Sequence, residues 1–317
     1  MSLILPSKAY RPFQYPQAYE FWKRQQQVHW LAAEVPMGQD VRDWAKLDPK
    51  LRDTLTWIFR MFVQADIDVH KCYHKLYQTI FLPTEVQMML SAFSNMETVH
   101  IDAYSHLMTT LGLPESEYHA FLDYTEMKAK HDWMHSFNPN NPEEVAASLA
   151  GVSGFGEGLM LFASFAMLLN LPRHNLMKGM GQIVSWSVRD ESLHCEGIMW
   201  LYHTYLREKA GEIDRERLSR KNIETCRESV RMEDAFIDLV HQHGDMPGVA
   251  KDEFKAHIRN VANIRLRQLG ELPIYDDAKY LPWFDTQASG VEHANFFEQQ
   301  GTAYSRAATE GEWGEAF

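Results

Sequence analysis

Cysteine is scarce in this chain, with three in 317 residues. Cys72, Cys195 and Cys226 lie far apart, none sits in a Cys-x-x-Cys pair, and an odd number cannot all pair with one another. A disulfide framework is excluded as the scaffold, and a reducing cytoplasm is the expected setting. Basic residues are outnumbered: 31 Lys and Arg against 43 Asp and Glu leave a formal charge of -12. Nucleic-acid binders carry a basic face, so nucleic acid is not an expected partner. A basic protein surface is compatible with this charge, although charge alone does not select a partner. Long apolar runs are also missing. Residues 1–10 hold no signal-peptide core. The longest greasy stretch, 159–169, ends at Asn170, short of the roughly 20 residues that span a bilayer. No membrane partner is expected, and that stretch reads as a buried core helix. Alternating strand patterns bounded by turn residues are absent, as is any evident internal repeat.

What remains is helix after helix. The chain is long enough for one large core or two modest domains. Apolar periodicity and end signals predict helices over 18–30, 51–81, 83–112, 115–137, 143–171, 177–210, 214–243 and 251–269. Asp48-Pro49 and Asn141-Pro142-Glu143-Glu144 read as N-caps followed by proline at the first helical position. Gly211, Gly244 and Gly270 stand where C-terminal caps belong. Several of these helices exceed the usual globular length, which implies an all-α bundle. The helical domain is expected to cover 1–287. Residues 288–317 change character, with Gly290, Gly301, Gly311 and Gly314 among Phe296, Phe297, Tyr304, Trp313 and Phe317. They read as a flexible tail whose aromatics anchor it on a partner; the alternative is an end with no role.

Two segments carry chemistry. Glu97-Thr98-Val99-His100 and Glu191-Ser192-Leu193-His194 are both Glu-x-x-His within predicted helices. Positions i and i+3 lie about 60° apart on one helix face, so a carboxylate and an imidazole reach the same ion. One such match arises by chance in a chain this rich in Glu and His; two, on separate apolar helices, carry more weight. Asp66 and Glu157 each sit in an apolar stretch on another predicted helix, and buried acids are rare unless paired or metal-bound. Four carboxylates gathered without cations repel and hold protons, whereas two divalent ions neutralise them. An oxygen-rich set with two imidazoles suits iron or manganese. Ferritin-like di-metal bundles use this ligand pattern with Glu where Asp66 stands here. Gly154, Gly156 and Gly158 each cost about 1 kcal/mol inside a helix. They point to a distorted turn such as a π-bulge, or alternatively to a close helix crossing. Tyr104 falls on the stripe of Glu97 and His100 at i+7, which places a phenol near the ions.

With these residues in view, the chain resembles the small subunit of class I ribonucleotide reductase from about Trp30 to the tail. Its most specific pieces are Glu-x-x-His-x-x-x-Tyr ending at Tyr104 and Arg-Asp-Glu-x-x-His ending at His194. The resemblance implies a ferritin-like helical bundle with a dinuclear centre of iron and/or manganese in its core. Asp66, Glu97 and His100 would hold one ion, and Glu157, Glu191 and His194 the other. Tyr104 matches the tyrosine that stores a radical, Trp30 and Asp190 match the start of a radical path, and Tyr304 matches its relay in the tail. A large subunit that reduces ribonucleotides, a homodimer and an accessory activation protein are the implied partners. The chain departs from the family around Tyr104, where Leu161 replaces a frequent Phe and Ser187 a frequent Ile. A hydroxyl there would shorten a phenoxyl radical's life, and some members keep the oxidising equivalent on the metals instead. The rival expectations are another ferritin-like di-metal oxidase and a helical interaction module without metal.

Overall fold

Proline and short polar side chains start several helices of this protein. The computed structural model describes residues 2–120, 125–134 and 141–295. Pro16 opens α1 (Pro16–Gln27), and α2 (Gly38–Lys46) follows a short turn. The Asp48 side chain accepts from the Lys50 amide and Pro49 begins α3 (Pro49–Lys71). This pairing meets the orphan N–H groups of a helix start and uses a residue with no N–H to lose. The helix runs on through a π turn (Cys72–Tyr77) into α4 (Gln78–Ile80). Next come α5 (Thr84–Thr110), a 3-10 turn (Glu115–Tyr118) and α6 (Thr125–Met134). Asn141 caps α7 (Pro142–Leu149), which continues as a π segment (Ala150–Glu157) before α8 (Phe162–Arg173). The bundle closes with α9 (Lys178–Glu208), α10 (Arg215–Val240), α11 (Lys251–Leu269) and α12 (Phe284–Asn295). Among the described residues there is no strand.

The long helices face one another. α5 packs on α1 and α3, and α9 packs on α5, α8 and the π segment. The N-terminus of α9 is capped by another helix: Asp40 on α2 accepts from the Gly179 and Met180 amides, and Asp43 accepts from Met177. This fixes the register of the helix that carries Asp190, Glu191 and His194.

The structure departs from the expected helices locally. The predicted 115–137 helix begins instead as a 3-10 turn, with α6 starting at Thr125. The predicted 143–171 helix is interrupted by the π segment and the turn at 158–161. Of the three glycines expected as C-terminal caps, Gly270 alone takes the left-handed conformation; Gly112, expected only as a stop, takes it too. Helix α12 crosses the expected boundary at 287/288; residues 296–317 lie outside the described ones. The helical stretch Pro142–Arg173 contains an 18-residue window apolar enough to cross a membrane, and that window is wholly buried within the protein. Cys72, Cys195 and Cys226 are all free.

Candidate metal centre

Four helical stretches bring the candidate ligands into one dry volume. Asp66 comes from α3, Glu97 and His100 from α5, Glu157 from the end of the π segment, and Glu191 and His194 from α9. Each is at most 1% exposed. His194 Nδ1 lies 3.0 Å from Glu97, 3.2 Å from Glu157 and 3.5 Å from Glu191. His100 Nδ1 lies 3.5 Å from Glu97 and 3.4 Å from Glu191. Two ligand groups result, Asp66–Glu97–His100–Glu191 and Glu97–Glu157–Glu191–His194, each with donor atoms within 4.8 Å of one another. The triads implied by the resemblance are contained in these groups, but Glu97 and Glu191 belong to both.

The donor set fits such ions. Asp66 Oδ2, Glu191 Oε2 and His100 Nδ1 are buried without a hydrogen-bond partner. Buried polar atoms are ordinarily paired, and a cation is the partner that satisfies carboxylates and imidazoles together. Electrostatics point the same way. Burial drives Asp66 well above the usual carboxylate range, with Glu97, Glu191 and Glu157 adding repulsion. Burial raises Glu157 to about 7, against the pull of His194. Burial also opposes the charged form of both histidines, yet their carboxylate hydrogen bonds outweigh it and raise both. Glu97 falls because its bonds to the two histidines together overcome its burial. Without cations, the cluster is neutralised by protons.

The π segment delivers Glu157. Part of the glycine pattern acts through backbone shape and part through close packing. A Cβ at Gly158 would meet Arg265 Nε at 2.7 Å and Cys195 Sγ at 2.9 Å, and one at Gly154 would meet the flexible Met199 tip at 2.6 Å. The π turn and the close crossing are therefore both present. The turn after Glu157 leaves carbonyls that the buried side chains satisfy: Arg265 donates to Gly158 O and Lys130 to Met160 O.

Tyr104 is buried, and its ring stacks on Phe62 at 4.2 Å, with Phe165 5.6 Å beyond Phe62. Its hydroxyl donates to Ser187 Oγ at 3.2 Å, and Ser187 donates in turn to Ile183 O at 3.0 Å. Burial, with Asp66 adding to it, holds the phenol far above its ordinary pKa. Trp30 Nε1 donates to Asp190 Oδ2 at 2.7 Å, and the same oxygen lies 3.3 Å from His100 Nε2. Gln25 donates to the other Asp190 oxygen at 3.2 Å. Trp186 lies against Trp30 with ring centroids 5.0 Å apart. Tyr304 is among the residues not described.

One residue at the site was not anticipated. Tyr73, fully buried in the first π turn, donates its hydroxyl towards Glu157, 2.8 Å from each carboxylate oxygen. A signal was available: Tyr73 stands seven residues after Asp66, the same spacing that Tyr104 has from Glu97.

The chain matches the family model described as "Ribonucleotide reductase, small chain" over residues 7–282. The chain belongs to this family. It is 39% identical over 354 aligned residues to a protein of Invertebrate iridescent virus 6 named a "Probable ribonucleoside-diphosphate reductase small subunit", covering 99% of this chain and 98% of the relative. Two solved structures share the fold. The ribonucleotide reductase R2 subunit from Clostridium botulinum superposes with a TM-score of 0.80 at 18% identity, covering 89% of this chain and 91% of the other. The dimanganese(II)-NrdF of Streptococcus sanguinis superposes with a TM-score of 0.73 at 18% identity, covering 90% and 100%. The fold is thus the ferritin-like bundle of ribonucleotide reductase small subunits. The protein is a ribonucleoside-diphosphate reductase small subunit with a buried site for a dinuclear metal centre, and it works with a large subunit. The helical interaction module and the other ferritin-like di-metal oxidase fall away.

Proposed function

We propose that this chain holds two ions of iron, of manganese, or one of each, and passes one oxidising equivalent to the large subunit for ribonucleotide reduction. Asp66 and His100 would hold one ion and Glu157 and His194 the other, with Glu97 and Glu191 common to both donor groups. When bound, the metal pair supplies the one-electron oxidant, generated with dioxygen or a reduced oxygen species. Both metals accept this nitrogen and oxygen set. The dimanganese neighbour makes manganese a concrete candidate.

The observation that carries the proposal is the Asp190 oxygen shared between Trp30 and His100. The carboxylate fixes the imidazole, as partners of ligating histidines do. It also accepts the indole N–H, which makes it the base beside Trp30 when that ring gives up an electron. The oxidising equivalent would then pass along His100, Asp190 and Trp30 towards Tyr304, with the electron moving the opposite way. The apolar stack of Phe62 and Phe165 shields Tyr104 from water, which suits a stored radical.

The Ser187 contact favours a second assignment of storage. Tyr104 donates to a hydroxyl that itself donates to a carbonyl, so the phenol proton is held in a fixed hydrogen bond to a neutral group. In that case the equivalent stays on the metals. EPR of the activated protein separates the two: a long-lived tyrosyl signal that vanishes in Tyr104→Phe assigns storage to Tyr104, and its absence from the wild type assigns it to the metals. Turnover is tested with the large subunit added. Tyr304→Phe is expected to load metal normally and to abolish turnover; unchanged turnover removes Tyr304 from the path. A homodimer, an accessory activation protein and a cytoplasmic location complete the proposal, and their support is the family resemblance.

A further inference from the structure

Two π-helical turns meet at the candidate metal centre, and the Tyr73 side chain joins them. Tyr73 lies on the turn Cys72–Tyr77, and Glu157 ends the segment Ala150–Glu157. The Tyr73 hydroxyl is 2.8 Å from both Glu157 oxygens and 3.4 Å from Ser153 Oγ. Its ring stands edge-on to His194 at 5.9 Å and to Phe93 at 6.0 Å. Single-turn π-bulges are frequent at functional sites, and here each of two π segments supplies one half of a hydrogen bond.

We infer that Tyr73 is a positioning residue that clamps Glu157 and so sets the affinity of one of the two metal positions. The inference rests on the two-ion proposal above. Glu157 gains little side-chain support from its own segment: Gly154, Gly156 and Gly158 surround it and carry no side chains. The phenol has one hydrogen for two oxygens. It can donate to whichever oxygen does not face the ion, holding the carboxylate plane without competing for the coordinating lone pair. The effect is one-sided, because Glu157 belongs to the Glu97–Glu157–Glu191–His194 group and not to the group containing Asp66. Tyr77, on the same π turn, provides an internal control. It is equally buried and donates to the Ser148 carbonyl at 2.8 Å, away from the ligands.

The test is Mn(II) binding to the full-length chain, followed by EPR of the free ion and by calorimetry. The wild type is expected to take two ions. Tyr73→Phe is expected to weaken one of them by about 10- to 100-fold, the usual effect of removing a partner of a metal ligand, and to leave the other unchanged. Tyr77→Phe should leave both unchanged. Two ions of wild-type affinity in Tyr73→Phe would overturn the inference. So would equal weakening of both ions in the Tyr73 and Tyr77 variants, which would mean that packing alone is at stake. A wild type that takes no stoichiometric Mn(II) would overturn the two-ion proposal and this inference with it. If Tyr73→Phe fails to fold, 3-fluorotyrosine placed at position 73 keeps the hydroxyl. Its fluorine resonance must then move when diamagnetic Zn(II) is loaded, and an unmoved resonance would overturn the clamp.

Discussion

Removing the metal from this protein should destabilise it by an amount that grows with pH. In the metal-free fold, Glu157 is raised from 4.5 to about 7, first by burial and then by neighbouring carboxylates. A shift of that size corresponds to about 3 kcal/mol. The folded state therefore holds more protons than the unfolded chain between about pH 4.5 and 7. Stability falls with rising pH wherever the folded state binds more protons, so this cost is absent below pH 4.5 and complete above 7. Asp66 is raised for the same first reason, burial, and has the same sign. His100 and His194 are raised because their carboxylate bonds outweigh burial; the stability they add is present in full below their unfolded value and is lost as pH climbs through the folded one. Metal replaces these protons, and its affinity rises with pH. At a free ion concentration 1,000 times the dissociation constant, each site adds about 4 kcal/mol. With about 2.1 cal/mol/K of unfolding entropy per residue, that is about 6 °C per site for 317 residues. Calorimetric melting of chelator-treated and Mn(II)-loaded protein at pH 5, 6, 7 and 8 provides the assay. The loaded-minus-free difference in Tm should increase along the series and approach about 12 °C. A difference that shrinks or stays flat with rising pH would refute the reasoning.

Three further substitutions probe separate parts of the account. Asp190→Asn leaves one oxygen to serve both Trp30 and His100, so it should weaken one Mn(II) by about 10- to 100-fold and abolish turnover with the large subunit; normal turnover would contradict the relay. Gly158→Ala drives a methyl against Arg265 and Cys195, and overpacking of this kind costs about 1–3 kcal/mol, read as a lower Tm at unchanged metal stoichiometry. Lys130→Met strands the buried Glu233, which Lys130 now contacts. The loss should be about 3–5 kcal/mol at pH 8 and smaller at pH 5, because burial already raises Glu233 to about 7 and protonation removes the stranded charge.

Much of this architecture can be read from residue order, because helical spacing is a local rule. Glu97–His100 and Glu191–His194 share helix faces at i and i+3, and Asp66 and Glu157 stand out as acids in apolar surroundings. The glycine triplet signalled the π segment because glycine's cost inside a helix demands a reason. The sharing of Glu97 and Glu191 was not legible: spacing says which side chains share a face, whereas their reach to both groups depends on how close α5 and α9 approach. Tyr73 escaped notice because the π turn shifts it relative to an ideal helix and its partner lies 84 residues away. Helix α2 is short and polar, and its role, capping α9 through Asp40 and Asp43, is visible only in three dimensions. The predicted helix over 115–137 failed at its start, where Pro114 leads into a 3-10 turn.

The most direct test of the central claim is anomalous diffraction from crystals of the full-length protein loaded with Mn(II). Two peaks per chain are expected inside the bundle, one among Asp66, Glu97, His100 and Glu191 and the other among Glu97, Glu157, Glu191 and His194. A single peak, or ions bound elsewhere with these six side chains left uncoordinated, would contradict it.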